Sequence, residues 1–460
     1  MLKLFNSLSR QTEEFKPINK DAVGFYICGP TVYHDAHIGN LRTMIMGDLV
    51  RRTLHYNGYK VRQVMNITDV GHLTSDADTG EDKMEKNVST QKEYYTVAEK
   101  YTKNFLDNLL ALNIETPDFM PKASDHVAEQ IEMIRTLIEK GFAYESEEAV
   151  YFDVSKFPHY NQLTGQNLEE MKLGARQEVV KDPTKKNPID FVLWFKTVGR
   201  YQNHILRWDS PWGMGFPGWH IECSAMSTKY LGETFDIHAG GVDLKFPHHT
   251  NEIAQAEAAT GKKLSNYWMH GEHLLLGNSK MAKSEGTGLT LQNLVDKGFN
   301  PLAYRYLVLT SHYRSKLNFT EESLTAAQNA LNNLYQEIST YDPAEKIIPE
   351  YENQFNESIN NDLETPQAVA IVWDLIKSEE KSSDKLATLI KFDEVLGLKI
   401  KQIWEAAKII PETVRKLIDE RELARKEKDF IRSDELRRAI ESNGYILEDT
   451  IDGFRVKKKF

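Results

Sequence analysis

The chain of 460 residues holds only two cysteines, Cys28 and Cys223. A single structural disulfide is not expected in a cytosolic protein, where thiols are kept reduced. No apolar run approaches the roughly 20 residues needed to cross a bilayer, so no membrane partner is expected. Residues 1–20 are polar and mixed in charge. They lack the apolar stretch of a secretory signal and are too acidic for a transit peptide, so a cytoplasmic protein is expected. Positive charge is not in surplus either. The net charge of −11 counts against a simple basic nucleic-acid binder, while leaving room for a large enzyme with a local basic face. Internal repeats and low-complexity segments are absent. The remaining composition, 40% hydrophobic and 27% charged, is that of a soluble globular protein, and the length implies several domains.

The first regular pattern is a short apolar run at 22–28 that stops at Gly29-Pro30, which reads as a buried strand. Leu41, Met44, Ile45, Asp48, Leu49 and Arg52 then follow helical spacing, and 61–67 reads as a second strand. Strand, helix, strand implies a parallel sheet with crossover helices. Ligands on such sheets sit beyond the carboxyl ends of the strands, which places residues 28–40 at the mouth of a site. The pattern changes near Asn113. A helix over 129–138, a strand over 150–153 and a Lys/Pro-rich loop over 181–188 read as an insertion. The sheet pattern resumes near Gly218, with a strand at 235–238 running into Ala239-Gly240-Gly241. Pro247 then opens a helix. After about 320 the chain reads as a helical bundle. A small closing unit starts near 408, with a charged helix over 420–428 and a turn at Asp452-Gly453.

Two segments suit phosphate. His37-Ile38-Gly39-Asn40 lies between the first strand and its helix, where free backbone N–H groups and the dipole attract anions. Gly39 carries no Cβ where a nucleotide must come close. A His there can donate to oxygens as charge develops. Lys280-Met281-Ala282-Lys283-Ser284 lies in a loop flanked by Gly277, Gly286 and Gly288, and its lysines could neutralise a triphosphate. Either string alone is commonplace; their order and contexts give them weight together.

Both cysteines have chemical neighbourhoods. Cys28 ends the first strand, and Cys223 sits in Gly218-Trp219-His220-Ile221-Glu222-Cys223-Ser224. His248 and Glu252 are four apart and share one helix face. Two thiolates, an imidazole and a carboxylate make a plausible zinc set. A His–Glu pair at that spacing is otherwise a surface pair, and a lone cysteine a small buried hydrophobe. On residue types alone both accounts stand.

The two phosphate strings resemble the HIGH and KMSKS motifs of class I aminoacyl-tRNA synthetases. Longer strings resemble the cysteinyl-tRNA synthetase family: Cys28-Gly29-Pro30-Thr31-Val32-Tyr33, residues 218–226, Asp236-Ile237-His238, Phe246-Pro247-His248-His249, residues 251–255 and Asn266-Tyr267-Trp268-Met269-His270. The resemblance implies a class I α/β fold: a Rossmann-like parallel sheet with an inserted domain, a helical bundle and a C-terminal anticodon-binding module. It implies that His37, Gly39 and Asn40 contact ATP, that Lys280 and Lys283 stabilise the transition state of adenylate formation, and that Asp243 lies near the adenosine. Zn2+ would be held by Cys28, Cys223, His248 and Glu252, with His249 on a non-ligand position. Thr68, Trp219 and His238 would surround the amino acid. Zinc would read the substrate thiolate, since an apolar pocket alone discriminates only on the order of 10²-fold, and no segment large enough for an obvious editing domain is present. Mg2+ would accompany ATP. The sequence departs from the motifs at Asn40, where a second His is usual, and at Ala282, where Ser is usual. Asn can still donate but carries no charge.

The resemblance continues to the C-terminus, where Asp434, Arg437 and Asp449 fall on positions that contact anticodon bases. An amphipathic charged helix with (i, i+3) pairs is the plainer account of those residue types. The implied partners are L-cysteine, ATP and tRNA(Cys), and a monomer is expected. The implied division is catalytic halves at 1–112 and 206–265, an insertion at 113–205, a stem-contact region at 266–318, a bundle at 319–405 and the anticodon module at 406–460. A ligase joining cysteine to an amino sugar would share the catalytic half, but would need no anticodon module. A zinc hydrolase would need an HExxH-like arrangement, which is absent.

Overall fold

In the computed structural model, the structure describes residues 1–71, 73–75, 79–82, 85, 88–165, 185–277, 279–280, 288–450 and 453–459. Two compact units emerge. The first comprises Met1–Leu294, Tyr313–Asn318 and Asn360–Leu363; the second comprises Val295–His312, Phe319–Ile359 and Glu364–Phe460. The chain therefore passes between units five times.

The first unit is built on four parallel strands. These are β1 (Val23–Ile27), β2 (Val61–Met65), β3 (Phe235–Gly241) and β4 (Ser265–Gly271), in the order β4-β3-β1-β2. Every residue of β1 is buried, as expected of a parallel strand covered on both faces. Helix α1 (Ile38–Tyr56) crosses from β1 to β2. It starts where it does because His37 and Asn40 form a capping box: His37 Nδ1 accepts from Asn40 N at 3.1 Å, and Asn40 Oδ1 accepts from His37 N at 3.3 Å. The two side chains thereby brace the first turn of the helix reciprocally. Its apolar positions Ile38, Leu41, Met44, Ile45 and Leu49 are all buried, as their spacing predicts.

Helices α2 (Trp219–Leu231) and α3 (His248–Thr260) pack against each other. Pro247 precedes α3 as its N-cap. Between β2 and β3 the chain forms an antiparallel sheet ordered Gly215–Pro217, Phe191–Lys196, Ala149–Phe152, Ala143–Glu145. Its strand Gly215–Pro217 lies past residue 205, the end of the insertion read from the sequence. Part of the 181–188 loop lies outside the described residues.

Residues Asn360–Leu363 join the first unit through Asp362, whose carboxylate accepts from Phe5 N, Tyr313 Oη and Arg314 Nε at 2.7, 2.6 and 2.7 Å. Asp362 sits at φ 57°, a left-handed conformation that Asp tolerates better than most residues.

The second unit is helical. Among its helices, Pro349–Ile359 and Ser382–Leu396 bring Phe355 and Phe392 into a parallel stack 4.0 Å apart. Helices Glu412–Lys426 and Phe430–Ser442 and the hairpin Tyr445–Thr450/Gly453–Lys458 enclose a small core of Val414, Ile418, Ile440, Tyr445 and Leu447. The charged helix thus begins eight residues before the 420–428 span read from its charges, directly after Pro411. The turn residues 451–452 lie outside the described set.

Candidate metal centre and active site

Cys28 leaves the carboxyl end of β1, Cys223 lies in α2, and His248 and Glu252 lie one turn apart in α3. The fold gathers one donor atom from each into a cluster whose atoms all lie within 4.8 Å of one another, with all four residues buried. The approach of Cys28 depends on Gly29. A Cβ there would stand 1.8 Å from the Asn66 carbonyl oxygen, so only glycine lets this turn lie against the end of β2.

His248 Nε2 lies 3.0 Å from Glu252 Oε1, and the Cys28 thiol donates to the same oxygen at 3.8 Å. Burial pushes the Cys28 thiol well up, and the nearby Cys223 adds to this. Burial also pushes Cys223 up, but the Cys28 thiol and the His248 cation outweigh it and hold Cys223 down at about 6. Burial alone would lower His248; Glu252 and Cys223 instead raise it to about 10. Glu252, which burial would raise, is lowered to about 2 by His238 and His248. At neutral pH the set therefore carries a thiol, a thiolate, an imidazolium and a carboxylate, for a net charge of −1. Sulfur, nitrogen and oxygen donors in a dry pocket suit zinc. Two thiolates, a carboxylate and a neutral imidazole around a dication also total −1. The ion fits without changing the charge of a buried site.

A second group, Cys28, His238, His249 and Glu252, also brings one donor atom from each residue within 4.8 Å of the others. His238 Nε2 lies 2.8 Å from Glu252 Oε2, and its ring stacks on Trp268 at 4.5 Å. Its Nδ1 is buried without a hydrogen-bond partner among the described residues. Trp219, the first residue of α2, stacks on His248 at 4.2 Å. Thr68 is tied back to the Cys28 turn, with its N–H donating to Pro30 O at 3.1 Å. The Thr68 hydroxyl accepts from Asn66 Nδ2 at 3.0 Å and donates to Glu222 Oε2 at 2.9 Å.

Sequence reasoning did not single out Glu222, which is fully buried. Burial, then the charge on Cys223, raises its pKa well above the usual carboxylate range. The available signal was an acidic residue directly beside a proposed ligand.

The phosphate string occupies the start of α1, as its sequence suggested. The residues following the Lys loop meet it directly: Ile38 N donates to Leu289 O at 2.8 Å, and Thr290 pairs with His37. Gly39 lies under the His37 ring, which a Cβ would meet at 3.0 Å. Asp243 is exposed in the short turn Val242–Lys245 at the carboxyl end of β3. Lys280 pairs with Leu275 through its backbone; its side chain and all of Lys283 lie outside the described residues. In the C-terminal module Asp434 is exposed. Arg437 Nη2 donates to Leu447 O at 3.0 Å. Asp449 pairs with Phe454 across the hairpin, with its side chain outside the described set.

The family described as "tRNA synthetases class I (C) catalytic domain" matches residues 14–329. A protein of Burkholderia lata named cysteine–tRNA ligase 1 is 48% identical over 99% of this chain and 96% of its own length. Proteins of Treponema denticola and Thermus thermophilus named cysteine–tRNA ligase are 44% and 42% identical, covering 97% and 99% of this chain and 98% of their own lengths. Among solved structures, Mycobacterium tuberculosis methionyl-tRNA synthetase in complex with methionyl-adenylate is similar in fold, with a TM-score of 0.56 and 15% identity over 83% of this chain and 91% of that one. No described helix is long and apolar enough to cross a membrane. Matched along nearly its whole length, the chain belongs to the class I tRNA synthetases, in the family of the cysteine–tRNA ligases.

Proposed function

We propose that this chain ligates L-cysteine to tRNA(Cys) in two steps at the carboxyl end of the parallel sheet. The carboxylate of cysteine attacks the α-phosphorus of ATP, giving cysteinyl-adenylate and pyrophosphate. The 2′-hydroxyl of the terminal tRNA adenosine then attacks the activated carbonyl and releases AMP. No protein nucleophile is needed; the chain's work is positioning and electrostatic stabilisation. His37 and Asn40, with Gly39 leaving room, face the phosphates, and Asp243 lies toward the adenosine. Lys280 and Lys283 neutralise charge developing on the phosphates, with Mg2+ on the leaving pyrophosphate. Thr68, Trp219 and His238 surround the amino acid. Asp434, Arg437 and Asp449 read the anticodon on a C-terminal module taken as 406–460.

Cys28, Cys223, His248 and Glu252 would hold zinc, which when bound supplies a soft Lewis acid that favours a thiolate over a hydroxyl. One observation carries this reading: two thiols, an imidazole and a carboxylate from three distant segments converge in one buried cluster, in a chain whose relatives are named for cysteine and tRNA. The test is acylation with purified protein, labelled cysteine or serine, ATP, Mg2+ and bulk tRNA. Cysteine-specific label on tRNA that is lost in Cys223→Ala is the expected result. Pyrophosphate exchange with cysteine but no label on tRNA would instead favour an amino-sugar acceptor. No exchange at all would overturn the catalytic reading.

A further inference from the structure

Three of the cluster's donors meet a further imidazole. Glu252 Oε2 faces His238 Nε2, His248 Nδ1 lies 2.9 Å from His220 Nδ1, and Cys28 Sγ lies 3.3 Å from His249 Nε2. The last contact continues as a chain: His249 Nδ1 lies 2.9 Å from His270 Nε2, and His270 Nδ1 lies 2.8 Å from Ser7 Oγ. All four residues of the chain are buried. His249 belongs to α3, His270 to β4, and Ser7 to the segment after the strand Lys3–Asn6, where Ser7 N donates to Trp268 O. With solvent excluded, these groups have one another as partners, and each bond must have a definite direction.

The metal would set that direction. A metal-bound thiolate has no proton and can only accept. His249 must then donate from Nε2–H to the Cys28 sulfur, so its Nδ1 accepts from His270 Nε2–H. His270 Nδ1 in turn accepts from the Ser7 hydroxyl. Both rings must be neutral. The reverse direction would arise only if His249 were itself a ligand, as in the second donor group. That group leaves the Cys223 sulfur out of the coordination.

We propose that Ser7, His270 and His249 form a hydrogen-bond relay that fixes the His249 tautomer and aims its Nε2–H at the Cys28 sulfur, making His249 a positioning residue for the metal centre. A thiolate that accepts a hydrogen bond donates less charge to its metal, which keeps more of its acidity for an incoming thiol. This rests on the reading of the cluster as a metal centre.

The full chain, stripped of metal and loaded with Co2+, tests the relay. The parent should show the visible bands of four-coordinate cobalt and a sulfur-to-cobalt charge-transfer band. His270→Leu should keep the four-coordinate bands, move the charge-transfer band to longer wavelength and weaken Co2+ binding by about 10- to 100-fold. His270→Gln, whose amide N–H can still donate to His249 Nδ1, should restore both. Ser7→Ala should move the band the same way by less, and keeps the test open if His270→Leu fails to fold. His249→Gln should retain four-coordinate bands. Their loss would make His249 a ligand and overturn the relay, as would a His270→Leu or Ser7→Ala spectrum identical to the parent's. A parent without four-coordinate bands would overturn the metal reading itself.

Discussion

Loading the buried donor set with zinc should release two protons per ion, and should still do so at pH 9. The ligands bind as two thiolates, a carboxylate and a neutral imidazole, so every proton they hold beforehand must leave. Cys28 stays protonated because burial raises it, and His248 stays protonated up to about 10. Cys223, at about 6, and Glu252, at about 2, have already lost theirs. The expected release is therefore about two between pH 7.5 and 9, and apparent affinity should rise on the order of 100-fold per pH unit over that range. Below about 6 the thiolate of Cys223 takes up a proton, and the dependence steepens to about three. Four groups with ordinary values would behave differently: at pH 9 their two thiols would hold only about half a proton in total, and the histidine almost none. The assay is calorimetric titration of zinc-free protein against a competing chelator, in two buffers of different ionisation enthalpy. A release below one proton at pH 9 would refute the coupled charge state on which the argument rests.

Glu222 gives a second pH-dependent effect. Its folded pKa lies above the usual 4.5. As pH rises from that value toward the folded one, the folded state loses stability relative to the unfolded state, where the carboxyl ionises freely. Glu222→Gln removes the loss, so its melting temperature relative to the parent should climb between pH 5 and pH 8; a constant gap across that range would contradict the shift. Gly29→Ala must push a Cβ against the Asn66 carbonyl and should cost at least about 2 kcal/mol in denaturant unfolding; an unchanged midpoint would show that the turn relaxes. Lys283→Ala should slow cysteine-dependent pyrophosphate exchange by at least about 100-fold while cysteine binding is retained, and near-parental exchange would remove Lys283 from the proposed chemistry.

The first strand and its helix were legible because their signals are local. An apolar run closed by Gly-Pro and a 3.6-residue apolar period need no distant partner to be read. Asn40 was legible only in part: it departs from a family motif, yet the structure gives it a definite task as the capping-box partner of His37. The four donors could be named from residue types and strings. Their convergence could not be derived, because it depends on where β1, α2 and α3 end up. Ser7 and His270 are 263 residues apart, and no spacing rule joins a serine after one strand to a histidine in another. The early start of the helix at Glu412 was hidden because the first turn after Pro411 lacks the dense charge that marks the rest. The antiparallel inserted sheet was only glimpsed, at its 149–152 strand, since its strands are short and separated by long stretches of sequence.

The five passages of the chain between the two units bear on how this protein can be divided. A fragment ending at Leu294 would drop Asp362, which accepts from the Phe5 backbone near the start of the chain, and Tyr313 and Arg314, which donate to Asp362. Even a fragment carrying every residue from 14 to 329 would lack Asp362. The unit that bears the donor cluster is thus continuous in space but not in sequence, and no single cut yields it whole. Gene fusions, split reporters and truncations of this chain belong after Leu363 or within the C-terminal module, where a break removes residues of one unit only.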